Sequence, residues 1–226
     1  MQSSLPNLRY EKKFIAEGST LAEVLARVRR HPAAFREAFP PRIVNNIYLD
    51  SPGRRDYHAH INGAADRTKT RVRWYGPQCE MAERPVLERK VKRGMVSGKE
   101  VYALPRFSIN GGCLHSELGA AFDASRLPPI LRLALRHVEP ALSNRFARHY
   151  FQTCDARFRL TVDSRLQFGS VPCERRQAID VSPPAEILIL ELKFAPEVAA
   201  DADAVTNAWP FRVARFSKYV AGIEHV

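Results

Sequence analysis

Polar and apolar residues alternate one by one along many short stretches of the chain. In the stretch KTRVRWY, Lys69, Arg71 and Arg73 alternate with threonine, valine and tryptophan. Because successive side chains of a strand point to opposite faces, this period of two predicts β-strands. The strand-like stretches are residues 9–15, 43–49, 69–75, 86–92, 100–104, 145–152, 156–163, 177–181 and 187–194. The glycine-flanked segment 94–98 predicts the turn of a hairpin.

Three other segments repeat their apolar residues with the period of a helix. Thr20 and Glu23 form a capping box ahead of the first segment, and Pro32 ends it. The second and third helical segments are residues 129–138 and 212–223. Turns or loops are predicted at Pro40, at Ser182 and around the histidine pair His58 and His60.

About eight short strands with a few helices indicate an α+β fold. In a chain of this kind the strands are expected to curl into a small antiparallel β-barrel with peripheral helices. No internal repeat and no low-complexity linker divides the sequence, so we expect a single domain over residues 1–226.

The charge balance narrows the class of partner. Lys and Arg total 35 against 24 Asp and Glu, which gives a net charge of +11 and a pI near 9.9. Such an excess predicts an anionic partner, namely nucleic acid, an acidic membrane surface or a phosphate compound. No apolar run approaches the roughly 20 residues of a membrane span, and the N-terminus lacks an apolar signal core. We therefore expect a cytoplasmic protein without a membrane segment.

The basic residues are concentrated on single faces of predicted strands. The faces are Glu11 with Lys13, Lys69 with Arg71 and Arg73, Glu88 with Lys90 and Lys92, Arg157 with Arg159, and Glu191 with Lys193. Like charges two residues apart in a strand are about 7 Å apart and repel by about 2 kcal/mol. An anionic ligand would reverse the sign of that interaction, although one such face alone is usually the solvated side of a sheet. Recurrence over five strands favours a ligand.

Two further side-chain classes refine this expectation. Trp74 and Phe158 alternate with the arginines, so they are expected in the core and not on a nucleic-acid-binding surface, where exposed aromatic residues stack on bases. No nucleic-acid partner is therefore expected. The acids Glu11, Glu88 and Glu191 could neutralise basic groups or hold a hard divalent cation.

Eight motifs in order along the chain resemble the VTC domain, the polyphosphate polymerase domain of the triphosphate tunnel metalloenzymes, which also include the CYTH proteins. The motifs are RYEKKF at 9–14, NNIYLDS at 45–51, KTRVRWYG at 69–76, LERKVKRG at 87–94, SNRFARHYF at 143–151, RLTVDS at 159–164, ILELKF at 189–194 and FSKYVAG at 216–222. The resemblance implies a tunnel of about eight antiparallel strands that binds triphosphate or polyphosphate together with Mn²⁺ or Mg²⁺.

The resemblance also implies roles for individual residues. Residues expected to act on the transferred phosphate are Arg71, Arg73, Lys90 and Lys218. Residues expected to bind the substrate are Lys13, Lys99, Arg145, Arg159 and Arg215, the last of these on a C-terminal helix that also carries Lys218 and faces the tunnel. Metal-binding carboxylates are expected at Glu191, Glu11 and Glu88.

Three functions follow from this resemblance. The leading one is a polyphosphate polymerase that transfers the terminal phosphoryl group of ATP, or of another nucleoside triphosphate, to a phosphate chain. A triphosphatase or polyphosphatase would use the same residues with water as the acceptor. A polyphosphate-binding module without turnover is the third. Arg9 stands where the wider superfamily has a glutamate, which disfavours plain triphosphate hydrolysis. The sequence leaves the oligomeric state open.

Overall fold

The computed structural model describes residues 9–77, 80–94, 96–109, 113–171, 180–181 and 187–226. The described residues form two compact units. Unit 1 draws on Met1–Arg42, Phe146–Leu166 and Ser182–Phe216, and unit 2 draws on Ile43–Arg145, Gln167–Val181 and Ser217–Val226. The three longest strands each contribute residues to both units.

Most of the strands belong to one antiparallel sheet. The strands are β1 (Tyr10–Ala16), β2 (Arg36–Asp50), β3 (Arg67–Tyr75), β4 (Met81–Ala82), β5 (Val86–Arg93), β6 (Val96–Ala103), β7 (Phe107–Ser108), β8 (Glu139–Gln152), β9 (Phe158–Gly169), β10 (Asp180–Val181) and β11 (Leu188–Phe194). Eight of them pair in the order β1-β11-β9-β8-β2-β3-β5-β6, β10 pairs with β9, and β4 pairs with β7 separately. The predicted α+β class with about eight antiparallel strands is confirmed.

Six α-helices and one 3-10 turn complete the described structure. The helices are α1 (Leu21–Arg30), α2 (Arg55–Ile61), α3 (Leu114–Asp123), α4 (Pro129–Leu135), α5 (Ala199–Asn207) and α6 (Lys218–His225), and the 3-10 turn is Pro196–Val198. The predicted capping box of α1 is confirmed, because the Thr20 side chain accepts from the backbone N–H of Glu23 and the Glu23 carboxylate accepts from the backbone N–H of Thr20.

Unit 1 buries the apolar faces of β1, β9 and β11 beneath two helices. Phe14 of β1, Leu160 of β9 and Leu190 of β11 are fully buried. They belong to one apolar core with Val24 of α1 and Val205 of α5. The alternate residues of the same strands carry the charges predicted from the sequence, so one face is apolar and the other polar.

Unit 2 has its own apolar core on β2, β3 and β5. Val72 and Leu87 are fully buried there, and Trp74 is nearly so. Leu118 of α3 and Leu131 of α4 pack in the same core. The predicted core position of Trp74 is therefore confirmed, and the predicted hairpin between β5 and β6 is tighter than expected, because Arg93 already pairs with Val96.

Three local predictions were wrong, and helices α3 and α5 were missed. The last helix begins at Lys218 and not near residue 212, because Val213 forms a β-bridge with Phe14 and the side chain of Ser217 caps α6. The Pro40 region lies inside β2, and the two histidines lie on α2. Helix α3 was not predicted, although Leu114, Leu118, Ala121 and Phe122 have helical spacing.

Several predicted features lie outside the described residues. They are residues 177–179 of a predicted strand and the turn at Ser182. Among the helices that the structure describes, none is long and apolar enough to cross a membrane.

Candidate functional site

Five basic side chains share one face of β3, β5 and β6 in unit 2. The pairing register sets Lys69 opposite Lys90, which is in turn opposite Lys99, and it sets Arg71 opposite Glu88. Directly opposed residues of antiparallel strands lie on the same face of the sheet. We call the set Lys69, Arg71, Arg73, Glu88, Lys90 and Lys99 the cationic face. It contains five of the predicted site residues.

The Glu88 carboxylate is in contact with three basic side chains of the cationic face. The Arg71 guanidinium donates to its Oε2 from Nε at 2.7 Å and from Nη2 at 2.5 Å. Lys99 Nζ donates to Oε1 at 2.6 Å, and Arg73 Nη1 lies 3.6 Å from Oε2. Burial alone would raise the pKa of Glu88, but Arg71, Arg73 and Lys99 lower it to about 2. The carboxylate is therefore ionised at every working pH.

The side chains of Asn46 and Asn144 form a hydrogen-bonded chain that ends on Arg73. Arg73 Nε donates to Oδ1 of Asn46 at 2.8 Å, and Nδ2 of Asn46 donates to Oδ1 of Asn144 at 2.7 Å. All three residues are buried. The Nδ2 group of Asn144 is buried without a hydrogen-bond partner among the residues that the structure describes. Such a donor costs free energy unless a ligand or water accepts from it.

The start of α6 is tied to the cationic face. Lys69 Nζ donates to Oγ of Ser217, the N-cap of α6, at 2.8 Å, and it lies 3.2 Å from Nε2 of His60. Tyr219 donates to the Asp50 carboxylate, and its ring stacks on Tyr48 with the centroids 5.0 Å apart. Burial and the bond to Asp50 both raise the pKa of Tyr219 above its ordinary value. Half-buried Lys218 is the first residue of this anchored helix.

Unit 1 carries a second charged group, the ion-pair quartet of Glu11, Lys13, Glu191 and Lys193. Lys13 Nζ lies 3.0 Å from Glu11 and 3.9 Å from Glu191, and Lys193 Nζ lies 2.5 Å from Glu191 and 4.0 Å from Glu11. Each lysine therefore contacts both carboxylates. Burial alone would raise the pKa of Glu191, but Lys193, Arg148 and Lys13 together hold it far below its ordinary value.

Arg148 is a site residue that the sequence analysis missed. Its Nε and Nη2 donate to the two carboxylate oxygens of Asp163 at 2.6 and 2.7 Å, and its guanidinium lies over the Phe146 ring. Asp163, predicted only to end a strand, is buried in this pair. Burial alone would lower the pKa of Arg148, but Asp163 raises it above its ordinary value. The sequence contains one signal that could have identified Arg148. Arg145 and Arg148 are three residues apart in SNRFARHYF, so they must lie on opposite faces of the strand.

The remaining predicted residues are not drawn into these clusters. Arg145 follows Asn144 in β8, so alternation directs it to the face opposite Asn144. Arg159 is exposed on β9 directly opposite Lys193, so it lies on the face of the ion-pair quartet, although it forms no ion pair with these four side chains. Arg215 is exposed and precedes α6, so its predicted place on that helix was wrong. The phosphate-binding roles of these three residues stay predictions.

The sequence matches the family model of the VTC domain over residues 8–226. The chain belongs to the VTC domain family. Because the match includes both units, it covers the cationic face and the ion-pair quartet together. Among curated protein sequences, none matches this chain significantly.

Solved structures share the fold of this VTC domain at low sequence identity. A candidate adenylate cyclase from Vibrio parahaemolyticus has a TM-score of 0.55 at 13% identity, with 96% of this chain and 99% of that chain covered. The protein PH1819 from Pyrococcus horikoshii OT3 has a TM-score of 0.54 at 11% identity, with coverages of 96% and 99%. HpAC1 from Hippeastrum, a candidate adenylyl cyclase with a dominant triphosphatase activity, has a TM-score of 0.52 at 13% identity and covers 95% of both chains.

The carboxylates of this VTC domain differ in their suitability for a divalent metal. Among the described residues, no group of three or more His, Cys, Asp or Glu side chains could by itself hold a metal ion. Mg²⁺ typically needs only one or two protein carboxylates when phosphate oxygens and waters complete its shell. Glu11 and Glu191 meet that requirement, because two shared ammonium groups already bring them together. Glu88 already has both oxygens bonded to cationic side chains.

Proposed function

We propose that this VTC domain binds a nucleoside triphosphate and transfers its terminal phosphoryl group to an inorganic phosphate chain. The observation that carries the proposal is the cationic face, where five basic side chains on three adjacent strands share one face of the sheet with a single carboxylate. Cross-strand like charges destabilise a sheet, so such a surface is best explained by a polyanionic ligand. Membership of the VTC domain family supports the same conclusion.

The arginines of the cationic face would bind and orient the phosphate oxygens. Phosphoryl transfer needs mainly positioning and stabilisation of the negative charge that is spread over the transferred group. Guanidinium groups suit that task because they donate paired hydrogen bonds to phosphate oxygens. Arg73, held by Asn46, and Arg71 would bind the phosphoryl group that moves, with Lys90 and Lys218 beside it.

A divalent cation, Mg²⁺ or Mn²⁺, would supply further neutralisation of the phosphate oxygens. Glu11 and Glu191 are the residues that would hold it. Lys13 and Lys193 would then release the carboxylates. The positive charge beside the two carboxylates is unchanged by this exchange, because one divalent ion replaces the two ammonium groups.

The proposed reaction needs no covalent intermediate on the protein. A terminal oxygen of the phosphate chain attacks the γ-phosphorus, and the bond from that phosphorus to the β,γ-bridging oxygen breaks. The nucleoside diphosphate leaves with the bridging oxygen and its electron pair, and the chain grows by one unit.

Hydrolysis is the second candidate function. The fold neighbour HpAC1 has a dominant triphosphatase activity, which favours this alternative. Water would replace the phosphate chain as acceptor, with the same side chains stabilising the transferred group. The two functions therefore differ in the acceptor alone.

The test is incubation of the purified protein with ATP and Mn²⁺, with polymer and free phosphate resolved in the same sample. Long phosphate chains that are absent with Arg73→Ala would support the polymerase. Free phosphate alone would make the protein a hydrolase, and tight polyphosphate binding without either product would make it a binding module. Arg89→Ala is the matched control, because Arg89 lies on the opposite face of β5 and pairs with Glu100. Thermal unfolding of both variants checks that they fold.

A further inference from the structure

The Glu88 carboxylate lies where a bound phosphate group would be expected to lie. Arg71 offers it the Nε and Nη2 edge of the guanidinium, which is the edge that binds carboxylate and phosphate alike. Lys99 and Arg73 complete a cationic shell around the same two oxygens. Glu88 is 6% exposed, so its carboxylate is nearly removed from water, whereas the Lys99 side chain that contacts it is half exposed.

A metal-binding role does not fit this environment. Both carboxylate oxygens already accept hydrogen bonds from Arg71 or Lys99. Three cationic side chains face one carboxylate, so a divalent cation entering here would meet an excess of positive charge. The ion-pair quartet differs in this respect, because its two lysines are matched by two carboxylates.

We propose that Glu88 is an internal counter-anion that competes with the substrate's phosphate groups for Arg71, Arg73 and Lys99. This inference rests on the proposed function. Glu88 holds the three cations in place before substrate arrives, and it weakens the binding of each phosphate group that displaces it. A site that handles a long phosphate chain must bind each group strongly enough to admit it and weakly enough to release it, as ion-conducting pores do.

The kinetics of a variant that lacks the Glu88 charge distinguish the counter-anion role from a purely structural role. In Glu88→Gln the three cations face the ligand without an internal competitor, so ground-state binding strengthens. The arginines also lose the acceptor that aligns them, so the chemical step slows. The expected signature is a fall in KM together with a fall in kcat, whereas simple loss of structure would raise KM or lower the active fraction.

The experiment measures binding of inorganic tripolyphosphate by calorimetry in the presence of EDTA, so that no metal takes part. Glu88→Gln is expected to bind roughly tenfold more tightly than the wild type. The matched control is Glu100→Gln, which removes the same charge from the neighbouring strand on the opposite face, where Glu100 pairs with Arg89. The control should bind within about twofold of the wild type, because Glu100 lies on the face of the sheet opposite Glu88 and its ion pair is partly exposed.

Each result decides between the alternatives. Equal or weaker binding by Glu88→Gln overturns the counter-anion role, as does an unchanged metal-free affinity combined with a raised Mn²⁺ requirement for activity. If Glu88→Gln does not fold, Glu88→Asp is the second variant, because it withdraws the carboxylate by one methylene group. It should still bind tripolyphosphate more tightly than the wild type. Wild-type or weaker affinity would overturn the proposal. Failure of the wild type itself to bind tripolyphosphate or polyphosphate would contradict the proposed function and not this inference.

Discussion

Two clusters of charge, one in each unit, use the same residue types in different proportions. In the cationic face one carboxylate is shared by Arg71, Arg73 and Lys99, and Lys69 and Lys90 extend the same surface. In the ion-pair quartet two carboxylates are shared by two lysines, and the charges cancel. The excess positive charge suits the first cluster to a polyanion. The balanced charge suits the second to an exchange of its ammonium groups for a metal ion.

The largest expected effect is that of Arg71→Ala on the cationic face. Loss of a guanidinium that stabilises the transferred phosphoryl group should lower kcat/KM by about 10³ with the fold retained. Steady-state kinetics with ATP measure the change, and Arg89→Ala serves as the control on the opposite face. Wild-type kinetics in Arg71→Ala would show that the cationic face takes no part in the reaction. The proposed difference in function between the two clusters would then be wrong.

The next effect concerns stability at acidic pH. The pKa of Glu88 is about 2 in the folded protein against an ordinary 4.5. The ionised side chain therefore stabilises the fold above the ordinary pKa, and this contribution is lost as the pH falls through 4.5 toward 2. At neutral pH it amounts to about 3 kcal/mol.

The measurement is the free energy of unfolding in urea for the wild type and Glu88→Gln. The difference between the two should be largest at neutral pH and shrink from about pH 5 to about pH 3. A difference that stays constant over this range would mean that the cations around Glu88 do not stabilise its charge. Glu100→Gln, whose ion pair is partly exposed and 3.5 Å long, should show a difference below about 1 kcal/mol throughout.

A smaller effect is expected from substitution of Glu191 in the ion-pair quartet. Glu191→Gln should raise the Mn²⁺ concentration needed for half-maximal activity by about tenfold, because one anionic oxygen ligand becomes neutral. Titration of activity with Mn²⁺ measures the shift. Glu197→Gln, an exposed position, should leave it unchanged. Lost activity with an unaltered metal requirement would assign Glu191 to positioning its lysines instead.

The smallest effect is that of Tyr219→Phe on the anchoring of α6. The hydroxyl donates to Asp50, whose carboxylate also accepts from the backbone N–H groups of Ser51, Asp56 and Tyr57. Because three donors remain, the loss should be about 1 kcal/mol in the free energy of unfolding. Urea unfolding measures it, and exposed Tyr10→Phe should be neutral. A cost above about 3 kcal/mol would show that the hydroxyl is essential to the fold of unit 2.

Local patterns along the chain were sufficient to predict several features of this VTC domain. Alternation in KTRVRWY and LERKVK placed the basic residues on one face of β3 and β5, and the capping box located the start of α1. These features depend on neighbours a few residues apart, so strand period and helix capping are sufficient to predict them. The order of the eight motifs along the chain was likewise sufficient to indicate the family.

The partners of the charged side chains could not be predicted in this way. The Arg148–Asp163 pair, the cations around Glu88 and the bond from Tyr219 to Asp50 join residues on different elements, so they depend on strand register and not on local pattern. The same reason explains the late start of α6. Apolar spacing continues back to residue 212, but the bridge of Val213 to Phe14 holds that segment extended. A contact distant in sequence overrides the local helical preference here, because backbone groups that a helix would pair internally are paired with β1 instead, as in the bond from the Ala214 N–H to the Lys13 carbonyl.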